Sequence, residues 1–292
     1  MRILITGARG FIGRHLAQAL IEDGHQLVFL DCKAPPHDQT FAEGIDLGEV
    51  SIDNDLTHLM PAIGKVDACV HLAAVASPPV FDRNPAQGWA TNVQGTYNVL
   101  CLMQAARIPR MVFFSSAHVY GINPKWMPTP EHHPLALHDR YTVSKIMGEH
   151  LCHLFYENAG ISYACLRVFN AYGSGQTRDY FLANKIAQAR EGRLTVRNGG
   201  TTKDWIHVSD VVEATKRVLV SDYVGPLNIG TGIETSLKTI VEQISTHLDV
   251  EVTVEHSTGA DTQMCCDSTR ARQLLSWEPK VRFQDGLRNL LL

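Results

Sequence analysis

Short apolar runs alternate with amphipathic stretches over the first seventy residues. Residues 2–6 and 26–30 have the length and apolar character of buried strands, and the apolar positions between Phe11 and Leu20 recur at helical spacing. Further strands are predicted at 68–72, 111–114 and 162–168, and helices at about 85–107 and 141–160. This alternation is typical of an α/β protein with a doubly wound parallel sheet, in which helices cover both faces.

The regular alternation ends near Asn170. Glycines at 173, 175, 199 and 200 interrupt short elements beyond that point. We therefore predict a first domain over 1–170, with a return segment near 204–230, and a smaller C-terminal α/β domain over 171–292. The proline-rich stretch 122–138 is predicted to be a loop that faces a ligand.

The composition is globular: 45% of the residues are hydrophobic and 19% are charged. Twenty-six Lys and Arg against 30 Asp and Glu give a formal charge of −4, which predicts neither a nucleic acid nor a membrane surface as partner. No apolar run approaches the roughly 20 residues needed to span a bilayer. Seven cysteines without a CxxC pair favour buried thiols in a reducing compartment, so we predict the cytoplasm.

A glycine-rich turn joins the first strand to the first helix. Gly7 permits a tight turn, Gly10 lets backbone N–H groups approach a pyrophosphate, and Gly13 lets the helix pack near the strand. The helix begins at Phe11 and Ile12, and its N-terminus carries partial positive charge. In this position the GxxGxxG spacing predicts a dinucleotide cofactor.

The choice of dinucleotide depends on Asp31. It ends the second strand, where a carboxylate accepts hydrogen bonds from an adenosine ribose and repels a 2′-phosphate. Asp31 therefore favours NAD over NADP. The alternative is a surface aspartate that starts a turn, and Arg9 and Lys33 are cations that could accept the extra phosphate.

A tyrosine and a lysine lie four residues apart on a predicted helix. Tyr141 and Lys145 therefore share one face, about one turn apart. A positive charge at about 5 Å, with an effective dielectric near 20, stabilises a phenolate by roughly 3 kcal/mol. Tyr141 could then take a hydroxyl proton as hydride leaves the substrate carbon. Ser115 and Ser116 follow a predicted strand at the carboxyl edge of the sheet, where open α/β sheets bind ligands.

An ordered set of motifs extends nearly from end to end. The segments are GARGFIG (7–13), HLAA (71–74), NVQGT (92–96), SSAHVYG (115–121), YTVSK (141–145), LRVFNAYG (166–173), KDWIHVSD (203–210), NIGTG (228–232) and WEPK (277–280). Together they resemble the extended branch of the short-chain dehydrogenase/reductase superfamily, the NAD-dependent sugar epimerase/dehydratase group. The resemblance implies an NAD-binding Rossmann domain followed by a smaller substrate domain.

The same resemblance implies roles for individual residues. The implied catalytic residues are Ser116, Tyr141 and Lys145. The implied cofactor-binding residues are Gly7, Gly10, Phe11, Ile12, Gly13, Asp31, Asp55, Leu56, Leu72, Ala73, Ala74, Tyr141, Lys145 and Phe169. Asp55 is preferred to Asp46 as the aspartate that faces adenine. Ser116, Asn170 and Lys203 are the implied substrate-binding residues, and the helices that carry Tyr97 and Tyr141 are the implied contacts of a homodimer.

The chain departs from its relatives at several positions. Family dehydratases carry an Asp-Glu pair after the catalytic hydroxyl, and Ala117 and His118 stand there in this chain, so the machinery for eliminating water is missing. Lys203 stands where epimerases and dehydratases usually have an arginine, and a second family arginine is replaced within 256–261. Arg178 and Arg197 could compensate for these losses, or they could be surface charges.

No metal site is predicted. His132, His133 and His138 lack partners at metal-binding spacing, and His150 with His153 does not form an HExxH pattern. We therefore expect an NAD-dependent epimerase that acts on a sugar, most simply a nucleotide-linked one, through a transient keto intermediate. The alternatives are a sugar dehydrogenase or ketoreductase that exchanges its cofactor, a dehydratase, and a non-catalytic NAD-binding regulator.

Overall fold

The computed structural model describes residues 1–32, 44–255 and 259–292. Lys33 and residues 256–258, which the sequence singled out, lie outside the described residues. The chain forms two compact units, the first of residues 1–119, 135–167 and 212–227, and the second of residues 120–134, 168–211 and 228–292. Within the described ranges, no helix is both long enough and apolar enough to cross a membrane.

In the part of the chain that the structure describes, twelve strands form three sheets. The strands are β1 (Arg2–Thr6), β2 (Gln26–Asp31), β3 (Ile45–Glu49), β4 (Ala68–His71), β5 (Arg110–Phe114), β6 (Ser162–Val168), β7 (Asn170–Tyr172), β8 (Leu194–Val196), β9 (Thr202–His207), β10 (Gly225–Ile229), β11 (Glu234–Ser236) and β12 (Val252–Val254). The main sheet has seven strands in the order β10-β6-β5-β4-β1-β2-β3. The pairings from β3 through β6 are parallel.

Eleven α-helices connect the described strands. They are α1 (Phe11–Glu22), α2 (Met60–Ile63), α3 (Pro78–Arg83), α4 (Pro85–Trp89), α5 (Gly95–Ala105), α6 (Arg140–Ala159), α7 (Phe181–Arg190), α8 (Val208–Leu219), α9 (Leu237–Leu248), α10 (Thr269–Leu275) and α11 (Phe283–Leu291). A π-helical turn, Ala90–Gln94, joins α4 to α5. The helix predicted over 85–107 is therefore continuous, and it is locally widened at this turn.

The order of the strands confirms the predicted doubly wound sheet. The chain runs outward from β1 to β3 and then resumes at β4, on the other side of β1. Strand β1 is buried on both faces, with Ile3, Leu4 and Ile5 fully inaccessible to solvent. The carboxyl ends of β1 and β4 therefore form a topological switch point, which is where ligands bind in open α/β sheets.

The second unit contains two small sheets. In one, β9 lies between β7, to which it is parallel, and β11, to which it is antiparallel; in the other, β8 pairs with β12. Tyr172, Trp205, Ile240 and Phe283 belong to its apolar core. This smaller α/β unit agrees with the predicted fold class. The assignment of cofactor binding to the first domain and of substrate binding to the second stays a prediction.

A buried carboxylate ties the second unit together. Asp204 is fully buried and accepts hydrogen bonds from Thr231 N (2.9 Å), Thr231 Oγ1 (2.6 Å), Gly232 N (2.8 Å) and Cys266 N (3.1 Å). Burial raises the pKa of Asp204, and these four bonds oppose the rise. The aspartate of the KDW segment is therefore an internal anchor for the loop after β10 and for the chain around residue 266.

Candidate active site

The turn after β1 leaves no room for a side chain at Gly7. Its φ is +71°, and a Cβ atom would lie 2.6 Å from Ala73 N. Gly7 N donates to Leu30 O at 2.9 Å, and Leu72 N donates to Thr6 O at 3.0 Å. The segment Leu72, Ala73 and Ala74 that follows β4 therefore lies against the glycine turn, and only glycine permits this close approach.

Gly10 and Gly13 keep the start of α1 equally close. Gly10 N donates to Gly7 O at 3.0 Å. A Cβ atom on Gly13 would overlap Gly7 O and lie 2.9 Å from Ala8 Cα. No side chain of the described residues caps the N-terminus of α1, and its first turn, from Phe11, contains no acidic residue. Its free N–H groups and partial positive charge fit an anionic group such as a pyrophosphate.

Asp31 is held against this turn. It is buried, and its Oδ2 accepts a hydrogen bond from Arg9 N at 2.9 Å. The Arg9 guanidinium forms an ion pair with Asp46. Arg9 is therefore already neutralised by a carboxylate, which weakens its case as a partner for a 2′-phosphate. The geometry favours the NAD form of the dinucleotide.

The structure places the two candidate adenine aspartates differently. Asp55 accepts hydrogen bonds from Thr57 N at 2.9 Å and from Thr57 Oγ1 at 3.0 Å, which lowers its pKa and begins a short 3₁₀ turn. Leu56 is fully buried beside it. Asp46 lies on β3 in the ion pair with Arg9. The adenine contact of Asp55 stays a prediction.

His71 is a structural residue of β4 in this arrangement. Thr96 Oγ1 donates its single proton to Asn92 O at 2.7 Å, so the His71 Nε2 atom, 3.0 Å away, must donate to that hydroxyl. Nδ1 then accepts from Thr6 Oγ1 at 2.6 Å, and Thr6 Oγ1 accepts from Ala73 N at 3.2 Å. Burial, assisted by the charge of Lys145, lowers the pKa of His71 to about 3. The neutral imidazole therefore supports the segment after β4, which lies against the glycine turn.

The three predicted catalytic residues all lie in the first unit and are buried. Ser116 follows β5, and Tyr141 and Lys145 lie on the first two turns of α6; each is 5–7% exposed. Lys145 Nζ donates to Phe114 O at 2.8 Å and lies 5.1 Å from the centroid of the Phe113 ring. The end of β5, two residues before Ser116, and the helix that carries Tyr141 are thus joined through the ammonium group of Lys145.

Two opposing effects set the charge of Lys145. Burial lowers its pKa to about 8, and the Glu149 carboxylate, one helical turn further along α6, opposes this fall, as do Cys152 and Cys165 to a smaller degree. The side chain is therefore predominantly cationic at neutral pH. An ammonium group buried with few polar partners exerts a stronger field than it would in water.

Asn92 links the segment after β4 to α6. Its Oδ1 accepts from Val75 N at 2.7 Å, and its Nδ2 donates to Val75 O at 3.0 Å and to Ser144 Oγ at 3.0 Å. Asn92 lies in the π-helical turn, a type of distortion that is frequent at functional sites. The sequence marked NVQGT as a motif but assigned this asparagine no role, because its contacts join residues 17 and 52 positions away.

Two of the predicted substrate residues, Asn170 and Lys203, lie in the second unit together with Phe169, a predicted cofactor residue, whereas the third, Ser116, lies in the first unit. Phe169 is buried, and its N–H donates to Ile229 O at 2.9 Å. Asn170 Nδ2 donates to Asp204 O at 3.1 Å. Lys203 is half-buried on β9, its pKa is lowered by burial, and it forms no ion pair with a carboxylate of the described residues. Lys203 is thus a cation available to an anionic ligand.

The second unit also contains a cavity of about 540 Å³. Arg178, Lys185 and Arg197 contribute basic side chains to its lining, and Tyr180 and Phe181 contribute aromatic ones. Arg178 pairs with the exposed Glu191 at 2.7 Å, and Arg197 pairs with Glu255. The cavity therefore combines an aromatic wall with positive charge that is only partly neutralised at the surface.

Comparisons with known proteins agree with these features. Residues 3–230 match the model of the NAD dependent epimerase/dehydratase family. The chain is 34% identical to UDP-glucuronic acid decarboxylase 5 of Arabidopsis thaliana over an alignment of 303 positions, which covers 98% of this chain and 87% of the relative.

Two solved structures are similar over almost the whole chain. UDP-glucose 4-epimerase from Thermotoga maritima, solved with UDP-glucose, has a TM-score of 0.91 and 28% identity, covering 99% of this chain and 96% of its own. UDP-glucuronic acid 4-epimerase from Bacillus cereus, in complex with UDP-glucuronic acid and NAD, has a TM-score of 0.87 and 27% identity, covering 99% and 97%. The chain therefore belongs to the NAD-dependent epimerase/dehydratase family, and it is an NAD-dependent sugar enzyme of the extended short-chain dehydrogenase/reductase type.

Proposed function

We propose that this enzyme is a UDP-sugar 4-epimerase that works through a transient 4-keto sugar. The observation that supports the proposal is that Ser116, just after β5, and Tyr141 and Lys145, on α6, are all buried within the first unit. The glycine turn and Asp31 would hold the dinucleotide. When bound, NAD supplies a hydride acceptor for the carbinol carbon and returns the same hydride.

The residues of the chain supply the proton transfer. Tyr141 Oη takes the proton of the sugar hydroxyl as the carbon is oxidised, and it gives a proton back when the carbonyl is reduced. Lys145, which is cationic at neutral pH, favours the phenolate form of Tyr141 by electrostatic attraction. Ser116 Oγ donates a hydrogen bond to the reacting oxygen and keeps it in line with Tyr141.

The residues after Ser116 favour epimerisation over dehydration. Ala117 and His118 occupy the two positions where family dehydratases carry Asp and Glu. Without a carboxylic acid and a carboxylate there, loss of water from the sugar lacks its proton donor and acceptor. A 4-keto sugar without a carboxylate at C6 then rotates and is reduced from the other face.

We assign the nucleotide diphosphate to residues of the second unit. Similar enzymes were solved with UDP-glucose or UDP-glucuronic acid. Lys203 offers a half-buried cation without a carboxylate partner among the described residues. Asn170 lies on the neighbouring strand β7, where it pairs with Trp205, two residues beyond Lys203. The aromatic and basic cavity near Arg178 and Arg197 has the chemistry expected for a uridine and its phosphates.

A second candidate function is decarboxylation of a UDP-uronic acid. The observation in its favour is the 34% identity to a UDP-glucuronic acid decarboxylase over nearly the whole chain. Oxidation at C4 of a glucuronic acid creates a β-keto acid, which loses CO₂ readily. Ser116, Tyr141 and Lys145 would assist the same oxidation at C4 in both reactions. The two reactions differ in the next step, which is either reduction of the keto sugar from the other face or loss of CO₂ from a C6 carboxylate.

The test is a substrate panel of UDP-glucose, UDP-galactose and UDP-glucuronic acid, with and without added NAD. We expect formation of the 4-epimer without net reduction of NAD, and no product from Tyr141→Phe at equal loading. Release of CO₂ and a UDP-pentose from UDP-glucuronic acid would support the second candidate instead. Turnover that consumes NAD stoichiometrically would contradict both candidate functions and would identify the enzyme as a dehydrogenase.

We also propose that the enzyme is a homodimer in the cytoplasm. Tyr97 on α5 and Met147 and Leu154 on α6 are 43%, 42% and 50% exposed, which leaves large apolar side chains uncovered on two adjacent helices. Analytical ultracentrifugation should give twice the chain mass, and Leu154→Glu should shift the species to a monomer. All seven cysteines are free, as in proteins of a reducing compartment.

A further inference from the structure

Two histidines and an aspartate converge next to Tyr141. One ligand atom of each of His118, His138 and Asp139 lies within 4.8 Å of the other two. His138 Nε2 is 2.9 Å from Asp139 Oδ2, and the His118 and His138 rings are stacked with centroids 6.3 Å apart. The rings of His118 and Tyr141 are packed edge to face, with their centroids 5.8 Å apart. The cluster thus adjoins the proposed catalytic tyrosine.

The fold fixes two of these groups before any ligand arrives. Asp139 is the N-cap of α6, where its Oδ1 accepts from Thr142 N at 2.7 Å and leaves Oδ2 directed to His138. His118 lies in the 3₁₀ turn after Ser116, where its N–H donates to Ser116 Oγ at 3.2 Å and its carbonyl accepts from Thr142 Oγ1 at 3.4 Å. Only His138, which is exposed, needs to adjust its side chain.

The donor set and its spacing match a tetrahedral transition metal. Zinc binds imidazole nitrogens and carboxylate oxygens at about 2.0–2.2 Å, which puts tetrahedral ligand atoms about 3.3 Å from each other. The His138–Asp139 separation of 2.9 Å is close to that value, and all three ligand atoms lie within 4.8 Å of one another, so a small side-chain adjustment reaches it. Two neutral imidazoles and one carboxylate leave a fourth position for water, as in open zinc sites.

The surrounding charges permit a cation. Asp139 contributes one negative charge, which outweighs the roughly half positive charge of the helix N-terminus. The neighbouring Arg140 is neutralised by Asp82, with Nη1 2.8 Å from Oδ1. A cavity of about 510 Å³ is lined by His138, Asp139, Arg140 and Asp82, so an ion can reach the cluster from that side.

We propose that His118, His138 and Asp139 form a binding site for a divalent transition metal of the Zn²⁺ type. His118, one of the three groups, stands where the family's dehydratases carry a glutamate. Bound metal would lie beside Tyr141. Metal binding is measured without substrate, so its outcome does not depend on the proposed epimerase activity.

The test is titration of tag-free protein with ZnCl₂ by calorimetry and with CoCl₂ by visible absorption. We expect one site per chain and the strong absorption of tetrahedral Co²⁺. Loss of a group that only hydrogen-bonds to a metal ligand commonly lowers metal affinity by about 10- to 100-fold. His118→Ala and His138→Ala each remove a ligand itself, so each should weaken binding by at least about tenfold. Asp139→Asn should weaken it too while keeping α6 intact, because asparagine is an equally good N-cap.

Matched controls separate this site from adventitious binding. His58→Ala removes an exposed histidine elsewhere in the first unit and should leave the affinity unchanged. If His118→Ala does not fold, the test rests on His138→Ala and Asp139→Asn. His138 is exposed, and Asn keeps the N-cap of α6 at position 139, so both variants should fold. Absence of Zn²⁺ binding, an octahedral Co²⁺ spectrum, or equal affinity in His138→Ala and His58→Ala would each overturn the proposal.

Discussion

Glu149 and Arg167 form a bidentate ion pair in the interior of the first unit. Arg167 Nε lies 2.9 Å from Glu149 Oε1, Arg167 Nη2 lies 2.6 Å from Oε2, and the two side chains are 5% and 8% exposed. Ser115 Oγ also donates to Glu149 Oε1, at 2.5 Å. The carboxylate one turn beyond Lys145 is therefore tied to β6 and to the residue before Ser116, which makes Glu149 a positioning residue for both.

Glu149→Gln should shift the pH profile of the reaction. Loss of the negative charge removes the main effect that raises the pKa of Lys145 from its buried value, so Lys145 loses its proton at a lower pH. Activity that needs cationic Lys145 should then begin to fall at a lower pH in the variant than in the wild type. The measurement is kcat against pH, with the exposed Glu157→Gln on the same helix as the control that leaves the profile in place.

The same variant should be less stable. Arg167 would lose the charge of its buried partner, and breaking a buried pair on one side costs about 3–5 kcal/mol of unfolding free energy. Urea denaturation of Glu149→Gln and Glu157→Gln measures the difference. Equal stability of the two would show that the interior pair contributes nothing, and would contradict the arrangement described above.

Tyr141→Phe should lower kcat strongly and spare cofactor binding. Loss of an acid–base group typically costs 10²–10⁴-fold, so we expect kcat to fall at least about a hundredfold. NAD affinity, measured by calorimetry, should change little, because the ring and the helix remain. Tyr156→Phe, an exposed tyrosine of α6, is the matched control. Undiminished turnover of Tyr141→Phe would remove Tyr141 from the reaction.

Gly13→Ala should damage the cofactor site. The new methyl group would overlap Gly7 O, so the turn or the start of α1 must move. We expect NAD affinity to fall by at least about tenfold, which corresponds to about 1.4 kcal/mol. Gly24→Ala, beyond the other end of α1, meets nothing within 4 Å of its Cβ atom. Its φ of +77° makes the substitution cost some stability, but the NAD affinity of the folded protein should be kept. Equal NAD binding by both variants would count against a pyrophosphate at this turn.

His71 should make the protein sensitive to mild acid. Its pKa is about 3 in the folded state and 6.5 in the unfolded state, so the unfolded state takes up the proton first as pH falls. The stability present above pH 6.5 is therefore lost progressively between pH 6.5 and 3, by about 2 kcal/mol at pH 5. Urea denaturation at pH 7 and pH 5 measures the free energy of unfolding. Its decrease between the two pH values should be smaller for His71→Gln than for the wild type, and the decrease for His58→Gln should equal that of the wild type. A wild-type decrease retained in full by His71→Gln would show that other groups cause it.

Local patterns in the sequence predicted the parts of the fold that depend on local spacing. The strand at Arg2–Thr6, the glycine turn and the helix that carries Tyr141 and Lys145 are each defined by residues close in sequence. The strand β3 was not predicted, because its segment Ile45–Glu49 contains aspartate, glycine and glutamate and lies at the edge of the sheet, where half of its surroundings is solvent. Pattern alone does not distinguish such an edge strand from a loop.

The sequence by itself determined the parallel α/β class, the turn suited to a dinucleotide and the tyrosine–lysine pair, because a strand end or a helical turn needs only neighbouring residues to form. Tertiary structure alone decided which groups converge from distant segments. Glu149 meets Arg167 and Ser115, and His118 meets His138 twenty positions later, only after β5, β6 and α6 have packed. Side-chain partners over such separations are set by the packing of whole elements, and spacing along one chain contains no direct record of that packing.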